Sequence, residues 1–205
     1  YVLGTGYKRL HYRQNGHHYD FHSFRPKLTL ACHHITPTVQ VRSSFQMQDR
    51  ASRIAMTSEA VIRTNSMETT VGNPDLKPGH DLEHTLRLSR HTSRWQTSAQ
   101  VYFKQCLKPN MALYERTDDN QFRYTQTNQK EIDVLHLMAY AGYWLLPEKL
   151  QLSAYGGMQR CFNYGLDYTH CYTSWFYMGS LVAYLGRFTL QAYTDSGSRW
   201  LEGET

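Results

Sequence analysis

No stretch of this 205-residue chain is apolar for long enough to cross a bilayer as a helix. The longest nearly apolar run, 134–146, has 13 residues and is interrupted by His136, where a spanning helix needs about 20. With a mean hydropathy of −0.62, a helical membrane bundle is excluded. Clustered basic charge is also missing. The formal net charge is +5, and Lys and Arg adjoin only at Lys8-Arg9, so there is no footprint of a nucleic-acid-binding protein. The four cysteines, Cys32, Cys106, Cys161 and Cys171, show no CxxC spacing, which argues against a zinc ribbon or a redox motif. A Gly-x-Ser-x-Gly elbow is lacking, and Gly156-Gly157 is not followed by the Lys of a phosphate loop. Asp118-Asp119-Asn120 reads as a turn at the tip of a β-extension over 111–124, not as paired catalytic carboxylates. No enzymatic activity and no cofactor are expected.

What the chain has is alternation with a period of two, the mark of strands with unlike faces. Val39, Val41, Phe45 and Met47 oppose Gln40, Arg42, Ser44 and Gln46. Leu82, Leu86 and Leu88 oppose Glu83, Thr85 and Arg87. The same rhythm places Leu150 and Leu152 against Gln151 and Ser153, and Phe188 and Leu190 against Thr189 and Gln191. Nine strands are predicted: 1–12, 24–33, 38–48, 80–90, 94–105, 131–145, 149–162, 172–185 and 187–195. Segments 131–146 and 171–185 are apolar on both faces, so their inward face is not readable.

A soluble antiparallel sandwich also alternates. The connections favour a membrane barrel, in which a strand of about 9–11 residues with one apolar face suffices and mean hydropathy stays low. Short turns near 34–38, 91–94, 146–149 and 185–187 alternate with long links near 13–23, 49–80, 106–130 and 163–171. Tight turns at one end and long loops at the other are the asymmetry of outer-membrane barrels. Trp95, Tyr143, Trp144, Tyr184 and Phe188 lie beside the short turns, and Phe45, Tyr102, Phe103, Phe162, Tyr164, Trp175 and Phe176 near the long ones. These two groups are expected to form interfacial girdles. Nine is an odd number, whereas single-chain bacterial barrels have even counts. Residues 1–205 are therefore expected to be a partial barrel, without a terminal strand: an all-β, up-and-down antiparallel meander forming an open arc of a large transmembrane barrel.

Between the third and fourth predicted strands stands Gly72-Asn73-Pro74-Asp75-Leu76-Lys77-Pro78. Its two prolines cannot lie in a central strand, because each lacks a backbone donor. The segment is expected to be a rigid extended element or turn. It resembles the Gly-Asn-Pro-x-Leu-Lys-Pro motif of TonB-dependent outer-membrane receptors. Phe24-Arg25-Pro26-Lys27-Leu28-Thr29-Leu30 and the closing Leu201-Glu202-Gly203-Glu204 resemble the same family in order, especially its Bacteroidetes-type outer-membrane β-barrel branch. His80 departs from the pattern, since the family often has an acid within a residue or two of the motif. The resemblance implies part of the barrel of an outer-membrane transporter importing a bulky nutrient: a ferric chelate, a glycan or a peptide. It further implies lipid around the wall, a plug domain and a TonB-engaging segment that are both absent here, a TonB complex as partner, and substrate at the extracellular loops.

Tyr114, Arg116, Phe122, Arg123 and Tyr124 are the candidate ligand contacts, offering aromatic faces and cations on a long loop. Cys161 and Cys171 flank a loop and form a disulfide candidate. His17, His18 and His22 cluster with Tyr19 and Asp20, and imidazole suits several metals. Their spacing matches no standard motif; they read as solvated loop histidines, and no metal site is expected. Two other classes stay open: an outer-membrane barrel enzyme, protease or phospholipase, which needs a nucleophile or acid beside a positioned base at one rim, and a soluble β-sandwich binding module, which needs the leucines above buried between two sheets.

Overall fold

The computed structural model describes residues 1–14, 16–50, 52 and 56–197; the stretch Leu201-Glu202-Gly203-Glu204 lies outside them. Alternating segments become strands throughout, and among the described residues there is no α-helix. The strands are β1 (Val2–Gln14), β2 (His17–Thr36), β3 (Val39–Arg50), β4 (Val61–Arg63), β5 (Glu68–Val71), β6 (Gly79–His91), β7 (Trp95–Leu107), β8 (Asn110–Arg116), β9 (Phe122–Asn128), β10 (Glu131–Leu146), β11 (Leu150–Tyr164), β12 (Thr169–Leu185) and β13 (Phe188–Asp195). Nine of them form one antiparallel meander in the order β1-β2-β3-β6-β7-β10-β11-β12-β13, and β4-β5-β9-β8 form a second sheet of four. All nine predicted strands are present. β1 and β13 are not paired with one another, so the meander is open.

The short turns are tight for local reasons. Leu185 pairs with Phe188 across a two-residue link, where Gly186 takes φ 64°, a conformation glycine enters without steric cost. At the β10–β11 turn Lys149 N–H donates to Leu146 O at 3.1 Å, with Glu148 at φ 58°. Two of the expected long links prove shorter. Over 13–23, β1 and β2 stay in register to Gln14 opposite His17, so His18 and His22 sit on a strand and not in a loop. Similarly, only 165–168 separates β11 from β12. Hydrophobic alternation marks where a strand meets an apolar phase; beyond that phase pairing continues on backbone bonds and polar cross-strand pairs. One is Arg9 Nη2 on Asp20 Oδ2, at 2.7 Å.

Directly paired residues of an antiparallel sheet point to the same side, so the registers fix both faces. Leu82, Leu86, Leu88, Leu150, Leu152, Phe188 and Leu190 all share one face. With them stand Val41, Val101, Leu137, Trp175 and Leu181. The opposite face carries Gln40, Arg42, Ser44, Gln46, Thr85, Arg87, Ser89, Ser98 and Gln100. Register also settles the doubly apolar segments: Val134, His136, Met138 and Tyr140 share the polar face, as do Phe176 and Met178. Two members of each expected aromatic girdle, Trp144 and Tyr184 at one end and Tyr102 and Phe176 at the other, are turned to the polar face by the same logic. Trp95 and Tyr143, with ring centroids 4.4 Å apart, are on the apolar face, whereas Trp144 and Tyr184 are on the other.

Burial runs opposite to that of a water-soluble protein. Leu86 and Leu88 are 50% and 48% exposed, and Phe188 is 73% exposed. Among the residues of the nine-stranded sheet whose burial is described, every buried one, Ser23, Thr29, Asp81, Cys106, Cys161, Asn163 and Ser180 among them, belongs to the polar side. In a curved sheet the concave side is shielded by its own neighbours, so the polar face is concave and the apolar face convex. Buried apolar side chains among the described residues are few: Leu76, Cys106, Cys161 and Pro109. No core of packed leucines lies between two sheets, which corrects the sandwich alternative.

Candidate functional site

Two insertions, between β3 and β6 and between β7 and β10, meet at one end of the meander and build the four-stranded sheet. The strap 72–78 ties them to the wall. Its Asn73-Pro74-Asp75-Leu76 turn is closed by Leu76 N–H on Asn73 O at 3.3 Å, and the Asn73 Oδ1 accepts from Asp75 N–H at 2.9 Å. Proline at the second position of this turn has its φ already set. Asn73 Nδ2 donates to Gln126 O at 2.9 Å. Further along, Lys77 N–H donates to Asn128 Oδ1 at 2.7 Å, and Asn128 Nδ2 returns a bond to Lys77 O at 2.8 Å. Leu76 is buried. A Cβ on Gly72 would stand 1.9 Å from Ser58 O, so only glycine permits this approach. The motif is thus a turn with a short extended exit, as its prolines require. Just past it, His80 Nδ1 lies 3.0 Å from Asp49 Oδ1 and Arg25 Nε donates to Asp49 Oδ2 at 2.9 Å.

Of the five candidate contacts, four come together. Tyr114 stands opposite Tyr124 and Arg116 opposite Phe122, two positions apart and hence on one side. The two tyrosine ring centroids are 5.0 Å apart, tilted by 57°. Arg123 pairs with Glu115 on the reverse side and is not part of this group. Parallel pairing of β5 with β9 sets Glu68 beside Phe122 and Thr70 beside Tyr124, and Ile62 of β4 completes the row through Thr70. Carboxylate, hydroxyl and guanidinium groups therefore flank an exposed aromatic platform, suited to stacking and hydrogen bonding. Glu68 and Thr70 escape sequence reading, although the β-branched run Thr69-Thr70-Val71 was a usable signal of a strand.

Turn 117–121 joins β8 to β9 as expected for Asp118-Asp119-Asn120, with Asn120 at φ 60°. Thr117 Oγ1 donates to Asp119 Oδ1 at 2.6 Å, and this bond holds the Asp119 carboxyl below its ordinary pKa. A depressed carboxylate pKa stabilises the fold above the unfolded value and loses that contribution as pH falls through the folded one. Acidification below the usual carboxylate range should therefore lower the protection factors of the amides in this turn, taken relative to their intrinsic exchange rates at each pH. Asp119→Asn should abolish that pH-dependent change in protection, as hydrogen–deuterium exchange can measure.

The disulfide expectation is corrected. Cys161 stands opposite Tyr172 and Cys171 opposite Phe162, so the two thiols lie on opposite faces, and both are free. On the concave side Asp81 binds Arg50 Nη2 at 2.8 Å and Lys104 Nζ at 2.9 Å. Glu83 accepts from Gln46 and lies 3.6 Å from Lys104. Towards β12 the same side turns aromatic, with a hollow of about 650 Å³ lined by His136, Met138, Tyr155, Phe176 and Met178.

No protein-family model matches the sequence, and no curated protein matches it. Solved structures do match in fold. The copper transporter OprC superposes with a TM-score of 0.63 at 11% identity, covering 85% of this chain and 26% of its own. The siderophore receptor PirA from Pseudomonas aeruginosa superposes with a TM-score of 0.57 at 12% identity, covering 85% of this chain and 42% of its own. The chain thus spans about a quarter of the length of the first and about two fifths of the second. Both are β-barrels, and the nine strands described here have the architecture of an arc of such a wall.

Proposed function

We propose that these nine strands are part of the wall of a TonB-dependent transporter of the outer membrane, importing a bulky nutrient such as a ferric chelate, a glycan or a peptide. One observation carries the reading: the apolar face is the exposed, convex one, and the buried side chains of the meander lie on the polar face. Such a sheet is stable where hydrocarbon covers its convex side. The open edges at β1 and β13 support the view that further strands close the barrel, because unpaired backbone groups facing lipid cost several kcal/mol each. The Gly72–Pro78 motif and the fold similarity to a transporter and a receptor support the family and a non-enzymatic role. Coupling to TonB would run through a segment other than these strands. In this reading the four-stranded sheet stands at the cell surface, and Tyr114, Tyr124, Phe122 and Arg116 contact the solute.

Epitope insertion tests the topology. A tag between Asp118 and Asn120 should be labelled on intact cells expressing the full-length protein. A tag at Glu148, in the short turn between β10 and β11, should be labelled only after the outer membrane is permeabilised. Recovery of the protein in a soluble fraction, or labelling of both tags alike, overturns the proposal.

A further inference from the structure

One arrangement on the concave side is not needed to hold the wall together. Arg42 on β3 stands directly opposite Arg87 on β6, and Arg87 stands opposite Gln100 on β7. Both arginines are exposed, and neither has an ion pair or hydrogen bond among the described residues. Like charges directly opposite on one face repel. The carboxylate nearest along β6, Glu83, is four residues away, roughly 13 Å at strand spacing, and is already engaged by Gln46 and Lys104. Arg50 and Lys104, by contrast, share Asp81. The Arg42–Arg87 pair is thus a site of unneutralised positive charge facing inward.

Beside it lies a hollow of about 340 Å³ lined by Arg87, Ser98, Gln100, Met138, Tyr140 and Tyr155. Its chemistry is graded. One wall presents a guanidinium, Gln100 and Ser98 add hydrogen-bonding groups, and the far wall is a thioether and two phenol rings. A paired guanidinium fork matches the two oxygens of a carboxylate, and the flat apolar wall matches a ring attached to it. The volume is at the small end of ligand pockets. We propose that this is a binding step on the solute path for an aryl carboxylate, either a small acid or one arm of a larger nutrient. The carboxylate bridges Arg42 and Arg87, and the ring lies against Met138 and Tyr155. This inference rests on the barrel reading, which makes the concave face a lumen.

The test uses full-length protein in nanodiscs and calorimetric titration with 2-naphthoate and its neutral counterpart 2-naphthamide. Naphthoate should bind about tenfold tighter than the amide, with affinity falling as salt rises. The double variant R42Q/R87Q should bring naphthoate down to the affinity of the amide and leave the amide unchanged, whereas R42K/R87K should keep part of the preference. Heat-modifiable gel migration of each variant confirms that the barrel has folded; its loss in the unmodified protein would sink the barrel reading and this inference with it, whereas a folded barrel with the binding results below overturns this inference alone. Equal affinity of the two probes overturns the inference, as does a preference that survives R42Q/R87Q. So does a third result: no naphthoate binding to the unmodified protein, with R42Q/R87Q lowering its thermal stability. In that case a carboxylate elsewhere in the polypeptide already neutralises the pair.

Discussion

Leu86→Arg is expected to cost about 2–4 kcal/mol of stability in a bilayer, the penalty for a cation near the midplane of a barrel's lipid face. Leu86 lies between Ser43 and Val101 on the convex face and is 50% exposed. In water a half-exposed leucine replaced by arginine costs little, within about 0.5 kcal/mol. Gln40→Arg is the matched control: Gln40 is exposed on the concave side, opposite Ser89, and its replacement should stay within about 0.5 kcal/mol. Urea unfolding of the full-length protein in lipid vesicles, followed by tryptophan fluorescence, measures both. Equal penalties for the two variants would mean that hydrocarbon does not cover the convex face.

Gly72→Ala is expected to have the second large effect, and a local one. The new Cβ would stand 1.9 Å from Ser58 O and 2.9 Å from its carbonyl carbon. Both are backbone atoms, so no side-chain rotation relieves the clash. Overpacking against a fixed neighbour costs about 1–3 kcal/mol and sometimes more; with backbone on both sides the upper end is expected. The damage should be confined to the insertion that carries β4 and β5. Limited proteolysis should cut the variant within 56–71 while the urea midpoint of the wall stays unchanged. A companion, Asn128→Ala, removes a side chain that bonds Lys77 N–H, Lys77 O, Lys108 O and Asn110 Oδ1 at 2.7–3.0 Å. Its two amide hydrogens are shared among three acceptors, so about three bonds are lost; at the low end of about 0.5–1.5 kcal/mol per bond, given only partial burial, the effect should not exceed that of Gly72→Ala. Uniform loss of wall stability in either variant would contradict the local role of the strap.

The nine strands of the meander were legible because a strand with one apolar and one polar face must alternate, and Leu82, Leu86 and Leu88 repeat where the geometry demands. Legibility fails wherever that demand lapses. Above the apolar band β2 runs through His17-His18-Tyr19-Asp20, whose polarity reads as loop although its backbone is paired. Within 131–146 both faces are apolar, and only the register of Leu137 with Val101 and of Met138 with Gln100 assigns them. β4 and β5 span three and four residues, too short for any period to show. Alternation places Tyr114, Arg116, Phe122 and Tyr124 together, but it takes the turn 117–121 to set their register. Arg123, one position off, is sent to the reverse side. The Cys161–Cys171 pairing failed for the same reason: the hairpin register is offset by one, and a one-residue offset changes faces.

The parallel pairing of β5 with β9 sets an order of assembly. Glu68 and Phe122 are partners, 54 positions apart in sequence, and the span between them includes both β6 and β7. A parallel pair cannot zip from a turn as a hairpin does, and closing so long a loop costs entropy before any contact returns it. Formation of the β6–β7 hairpin shortens that loop, so this hairpin is expected to form before β5 finds β9. The β5–β9 pairing is then a late step, and an antibody or ligand that requires the four-stranded sheet is expected to report a β6–β7 hairpin already formed.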